Sequence, residues 1–265
     1  MSWKIKQFGK KPKLRNPVLV EGLPGIGNVG KVAVDFIIDE LKAKKIYELF
    51  SFTFPHSVFV NENNLVELPT IEVFYKKMPG KRDLLLLAGD VQPIDEVSCY
   101  EFSEKVLDIL DGFKGKEVVT LGGIGLQAVP KKPKVYCTGN NKKMINGWAK
   151  DTIANNKVHG IVGPIVGVSG LLLGLADKRN ISAVSFLAET YGHPMFLGIK
   201  GAREILKILN AKLNLKINLK DMDKEIKSLE QEMIKKTEEL SAVSKNAAIK
   251  KLKGKLGKDE TSYIG

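Results

Sequence analysis

The stretch Pro17-Val18-Leu19-Val20-Glu21-Gly22-Leu23-Pro24-Gly25-Ile26-Gly27-Asn28-Val29-Gly30 decides the fold. Pro17 to Glu21 is a short apolar run that suits a buried strand, and a glycine loop, Gly22 to Gly30, follows at once. From about Lys31, Val32, Ala33, Phe36, Ile37 and Leu41 fall on one helical face, while Asp35, Asp39, Glu40 and Lys42 take the other. Strand, glycine loop and amphipathic helix in that order open an α/β fold.

Working outward, extended segments are expected around Ile46 to Val60, Thr70 to Tyr75 and Asp83 to Gly89. The run Leu84-Leu85-Leu86-Leu87-Ala88 lacks polar alternation, which fits a strand covered on both faces. A helix over about Asp95 to Phe113 carries Phe102, Val106, Ile109, Leu110 and Phe113 at spacings of three and four. The strand Val118 to Leu121 is expected to end in Gly122-Gly123-Ile124-Gly125. Beyond it the pattern predicts a strand at Lys134 to Thr138, a helix from Lys142 to Ala154 and a strand at Gly160 to Val166. A helix from Leu171 to Asp177, a strand at Ile181 to Leu187 and an amphipathic helix from Ala202 to Leu213 complete it. Such alternation predicts a mostly parallel or mixed sheet with helices on both faces.

The division predicted is an N-terminal extension at 1–16, an α/β domain at 17–215, a long helix at 216–245 and a flexible tail at 246–265. Apolar residues recur along the long helix at Met222, Ile226, Leu229, Met233, Leu240 and Val243. That heptad seam suits pairing with another subunit, or folding back on its own domain. Past Lys245 the chain turns to lysine, glycine and small polar residues, ending Thr261-Ser262-Tyr263-Ile264-Gly265.

The 265 residues carry a net charge of +12 and only two cysteines, Cys99 and Cys137. Neither a disulfide framework nor a CxxC site is spelled, so a reducing, cytoplasmic compartment is expected. The lysine-rich N-terminus has no apolar core of a secretory signal. His159 to Ala176 approaches the length of a membrane span but holds five glycines, Gly160, Gly163, Gly167, Gly170 and Gly174, and Pro164, which suits a strand, a turn and a helix start. The positive excess is almost all lysine; Arg15, Arg82, Arg179 and Arg203 are the arginines. Phosphate forks and base readout favour arginine with interleaved aromatics, so neither nucleic acid nor membrane is expected as a partner.

Gly25-x-Gly27-x-x-Gly30, with Asn28 inside it, matches a dinucleotide fingerprint between a strand and a helix, where an anion could be held. Glu48 lies where a ribose-binding acid is expected. The same glycines equally suit a tight turn and close approach of helix to sheet. Further glycine clusters at Gly122 to Gly125 and Gly167 to Gly170 are read as equivalent turns at strand ends. His56, His159 and His193 are scattered without acidic neighbours at metal-ligand spacing, so no metal and no cofactor is expected. Gly167-Val168-Ser169-Gly170-Leu171 lacks the last glycine of a nucleophile elbow. Asp90, Gln92, Glu189, Thr190 and Tyr191 follow predicted strands, and Asp90 with Glu189 forms the candidate polar pocket of an alternative reading as a nucleoside-, nucleotide- or phosphate-binding enzyme.

Taken as an ordered set, the blocks resemble the archaeal branch of the proteasome assembly chaperone family. They are Pro17 to Lys31, Phe54-Pro55-His56, Leu87 to Gln92, Thr120-Leu121-Gly122-Gly123, Gly167 to Gly174 and Leu187-Ala188-Glu189-Thr190. The resemblance spans about Pro17 to Leu213 and implies a three-layer αβα sandwich like that of nucleoside phosphorylases and hydrolases. It further implies a non-enzymatic homo-oligomer that binds the end ring of the proteasome core particle without ATP, as an assembly chaperone or activator. Family tails end in a hydrophobic residue, tyrosine and any residue; here Tyr263 is third from the end and Ser262 takes the hydrophobic place. Tyr263, Ile264 and Gly265 are the docking tail so implied; the candidate oligomer seam, Met222, Ile226, Leu229 and Met233, is the one that the heptad spacing gives.

Overall fold

The computed structural model describes residues 3–228, apart from 81, 159, 161, 162, 194, 195, 221, 225 and 227. It divides into one unit at 1–219 and a second from 220. In the first unit the elements run β1 (Lys4–Gln7), β2 (Val18–Glu21), α1 (Val29–Leu41), β3 (Lys44–Phe50), β4 (Phe59–Val60), β5 (Val66–Glu67), β6 (Ile71–Lys76) and β7 (Leu84–Gly89). They continue with α2 (Glu96–Gly112), β8 (Glu117–Leu126), β9 (Val135–Gly139), α3 (Lys142–Ala149), β10 (Ala154–Asn155), α4 (Val168–Lys178), β11 (Ser182–Tyr191) and α5 (Ile199–Leu213). In the second unit the described residues 222–224, 226 and 228 are helical.

Among the described residues nine strands form one mixed sheet in the order β1-β3-β6-β7-β2-β8-β11-β9-β10, and β4 and β5 form a separate hairpin. The central strands β7, β2, β8 and β11 are parallel. Their apolar runs, such as Leu84 to Leu87 and Val18 to Val20, are buried on both faces. Helices α1 and α5 pack together over one face, and α2 and α4 over the other. On the second face Leu19, Leu85, Leu87 and Val118 of the strands meet Phe102, Val106, Leu107 and Leu110 of α2 and Leu172 and Ala176 of α4. This is the expected three-layer αβα sandwich.

Several boundaries differ from the sequence reading, each for a local reason. The segment read as a mere extension supplies β1, which adds an antiparallel edge to β3, and Trp3 packs on Phe54 and Phe102. The extended run expected over Ile46 to Val60 breaks at Phe50, where the Ser51 hydroxyl accepts from Thr53 N–H and turns the chain. The helix expected to reach Ala154 stops at Ala149, where Asp151 adopts a left-handed conformation and the Thr152 hydroxyl bonds Ala149 O. Among the described residues of 160–166 there is no strand, and regular structure resumes at α4.

Gly122 to Gly125 is not a turn. Strand β8 runs through it in register with β11, Leu187 opposite Gly122 and Thr190 opposite Gly125. As a consequence Glu189, Thr190 and Tyr191 lie within β11 instead of after it.

Candidate functional site

In this sheet β2, β3, β7, β8 and β11 point the same way, so their carboxyl ends share one rim. From β2 the chain leaves through α1 toward β3 on one side, and from β7 it passes through α2 to β8 on the other. The carboxyl end of β2 is therefore where connections diverge, the place open α/β sheets put their ligands.

The glycine loop at this point is held by its own fold. A Cβ on Gly30 would stand 2.4 Å from Leu121 O, and one on Gly22 would stand 2.2 Å from Gly30 O. Gly27 has φ 62 and would drive a Cβ to 2.6 Å from Thr190 Oγ1. Gly123 of β8 makes room for the loop in turn, since its Cβ would lie 2.2 Å from Ile26 O. Gly198 N–H donates to Gly27 O at 2.7 Å, tying the start of α5 to the same loop. Asn28 takes the left-handed conformation at the first end of α1 without capping it through its side chain. Gly25 alone of the four is extended with open space around it. Close packing thus accounts for Gly27 and Gly30 without a ligand.

An ionisable group missed by the sequence reading lies beside this loop. Glu21, the last residue of β2, is fully buried. Its Oε1 accepts from Leu23 N–H at 3.0 Å and its Oε2 from the Ser169 hydroxyl at 2.9 Å. Burial dominates, outweighing these bonds and the Leu121 N–H, and pushes the carboxyl up to about 7. Gln92 works alongside it: its amide donates to Pro24 O at 2.7 Å and accepts from Val168 N–H at 3.3 Å. The two side chains fasten the glycine loop and the β7–α2 connection to the start of α4, whose N–H groups need acceptors. The signal was available, because a carboxylate ending an otherwise apolar strand must find partners.

The candidate polar pocket does not assemble. Asp90 follows β7 and Glu189 sits on β11, three strand spacings away, or about 14 Å. Asp90 accepts from Thr70 N–H at 3.3 Å and lies 3.7 Å from Lys31 Nζ. Glu189 accepts from Lys134 N–H at 2.9 Å and from the Tyr136 hydroxyl at 3.2 Å. Glu48 is also remote from the loop, since β3 lies beyond β7 and β6 from β2, and it pairs with Lys45 at 3.3 Å. Among the described residues no three His, Cys, Asp or Glu side chains gather in a way that could hold a metal ion. No described helix is long and apolar enough to cross a membrane.

What the rim does present is apolar surface. Among the described residues sixteen large apolar side chains stand exposed, and all but Ile5 lie on segments at this end of the sheet. The richest part is the β4–β5 region, where Phe52 is 82% exposed and Val66 69%. Phe50, Phe52, Phe54, Pro55, Val58 and Leu68 line a groove of about 360 Å³ there. A second, of about 350 Å³, runs beside it between Phe59, Leu68 and the acids Glu67, Glu72 and Asp90. Ile94, Val97 and Tyr100, at the start of α2, are exposed as well. Exposed apolar side chains gathered in grooves, as around Leu68, mark sites of association. Of the expected seam, Met222 and Ile226 are helical residues of the second unit, while Leu229 and Met233 lie outside the described residues, as do Tyr263, Ile264 and Gly265.

These features define a three-layer αβα protein whose sheet rim is fastened by its own loops and crowned with apolar side chains. The chain belongs to the PAC2 family, whose model matches residues 19–236. It is 31% identical over 245 residues to the Methanocaldococcus jannaschii protein MJ1210, covering 90% of this chain and 92% of that one. In structure it is similar to Pyrococcus furiosus PbaB, described as an archaeal proteasome activator, with a TM-score of 0.81 and 32% identity over 89% of this chain and 98% of that one. It shares its fold with Pyrococcus furiosus PbaA, an archaeal homolog of proteasome-assembly chaperone, at a TM-score of 0.73 and 21% identity over 93% and 97% of the two chains.

Proposed function

We propose that this chain is a cytoplasmic, homo-oligomeric proteasome assembly chaperone or activator that binds the end ring of the core particle without ATP. The observation that carries this reading is the apolar crown at the sheet rim, in a chain 32% identical to an archaeal proteasome activator. Binding would be shared between that rim and the tail Tyr263-Ile264-Gly265, where a tethered aromatic on each subunit multiplies the affinity of the assembly. The separation of Asp90 from Glu189, and the packing role of Gly27 and Gly30, speak for association over catalysis.

The test is co-sedimentation with archaeal core particles of the full chain, of a chain lacking residues 263–265, and of Phe59→Ser/Val66→Ser. Each change should weaken binding at least tenfold, and their combination should abolish it. Undiminished binding by the shortened chain removes the tail from the mechanism. No binding by the full chain in the absence of ATP overturns the reading. Melting with nucleotides and nucleosides tests the enzyme alternative, because a tight ligand at the Gly25 to Gly30 loop would raise the melting temperature by several degrees.

A further inference from the structure

Charge is sharply divided across this sheet. Leu49 to Tyr75 contains Glu62, Glu67 and Glu72 and no lysine or arginine, in a chain whose net charge is +12. Leu84 to Glu104 adds five acids, Asp90, Asp95, Glu96, Glu101 and Glu104, again without a basic residue. These two stretches hold ten of the sixteen exposed large apolar side chains. Lys45 pairs with Glu72, Lys31 lies beside Asp90 and Arg179 pairs with Glu104, so the acidity of this end of the rim rests on Glu62, Glu67, Asp95, Glu96 and Glu101. At the other end, Val129 to Lys157 carries seven lysines against Asp151 alone, and of these lysines Lys142 and Lys143 open α3 at the far end of β9 from the rim. Lys131, Lys132, Lys134 and Lys150 are exposed there, flanking Val129 and Ile153, whose side chains are about half exposed.

The acidic end belongs to the β3–β6 side of the strand order and the basic end to β9 and β10. Five spacings separate β6 from β9, roughly 24 Å, so one molecule cannot bring its own two surfaces together. A two-fold contact between acidic ends would set Glu62 and Glu67 against their own copies in the partner. A head-to-tail contact instead sets lysines against glutamates, with Val129 and Ile153 available for the apolar grooves around Phe59 and Leu68.

We propose that the acidic, apolar β4–β5 face of one copy docks on the lysine-bearing β9–β10 end of a second copy, so that unlike faces meet at the contact. This rests on the homo-oligomeric part of the function proposed above and specifies its surface. The contact should loosen as salt rises, because its charged rim is solvent-exposed.

Native mass of two charge-swapped variants tests it: Glu62→Lys/Glu67→Lys makes both ends basic, and Lys131→Glu/Lys132→Glu makes both acidic. All four residues are exposed, and unchanged melting temperatures check that each variant folds. Each variant alone should run near the 29.2 kDa of one chain, and an equimolar mixture should assemble again into particles that hold the two variants in equal number. If the lysine variant of the hairpin is monomeric while Lys131→Glu/Lys132→Glu keeps the full mass, the hairpin meets some surface other than the β9–β10 lysines and the proposal fails. If both variants keep the full mass, assembly runs through other residues and the proposal fails while oligomerisation stands. An unaltered chain at 29.2 kDa defeats the homo-oligomer itself, independently of core-particle binding.

Discussion

The Ser169 hydroxyl donates to Glu21 Oε2 at 2.9 Å, joining the end of the central strand β2 to the first turn of α4 across 148 residues of chain. Ser169 thereby couples the stability of the rim to the charge on one buried carboxyl. An unfolded chain ionises Glu21 near its ordinary value of 4.5, whereas the native protein holds its proton up to about 7. The native state therefore gains relative stability at low pH, and this contribution is lost as pH rises from 4.5 through 7. Over that window the loss from this group is roughly 3 kcal/mol. Glu21→Gln keeps an acceptor for Leu23 N–H and an amide for Ser169 Oγ, so melting temperature followed from pH 5 to 8 should flatten in this variant. An unchanged slope would show that other groups set the pH dependence.

Asp83 works in the opposite sense. Burial pushes its carboxyl up, but Arg15 N–H at 2.7 Å, Met78 N–H at 2.9 Å and the Arg15 guanidinium at 3.3 Å outweigh that and hold it below the ordinary range. Its contribution is present above the unfolded value of 3.8 and disappears as pH falls below it. Asp83→Ala should cost about 2 kcal/mol at neutral pH by urea unfolding, because two N–H groups lose their acceptor. The difference from the unaltered protein should shrink in acid.

The glycines of the fingerprint should separate sharply on substitution. Gly30→Ala and Gly123→Ala force a methyl onto Leu121 O and Ile26 O, and a loss of about 3 kcal/mol or failure to fold is expected. Gly25→Ala meets no atom within 4 Å on an extended backbone, and its melting temperature should stay within about a degree. A nucleotide site would instead make Gly25 as sensitive in a ligand-binding assay as the other two.

Cys99 and Cys137 are buried, and burial pushes the Cys137 thiol up to about 12 and raises Cys99 above its usual value. Since the thiolate is the reactive form, neither should be alkylated by iodoacetamide in the native protein at pH 7.5, and both should react in denaturant. Rapid native labelling of Cys137 would show that β9 opens readily.

Local sequence determined the layer architecture, because apolar runs such as Leu84 to Leu87 and the helical spacing of Phe102, Val106 and Leu110 leave little choice of burial. It also marked residues that matter, Gly27, Gly30 and Gln92 among them. What those residues do was decided by the tertiary structure alone. Gly123 needed to be bare because Ile26 O, distant in sequence, lies against it, and Glu48 lost its expected role because β6 and β7 insert between β3 and β2. The candidate pair Asp90 and Glu189 failed for the same reason, since strand order is not written in strand sequence. The apolar crown was likewise hidden, for a sequence shows which side chains are apolar but only packing leaves some of them, such as Phe52 and Val66, without a covering layer.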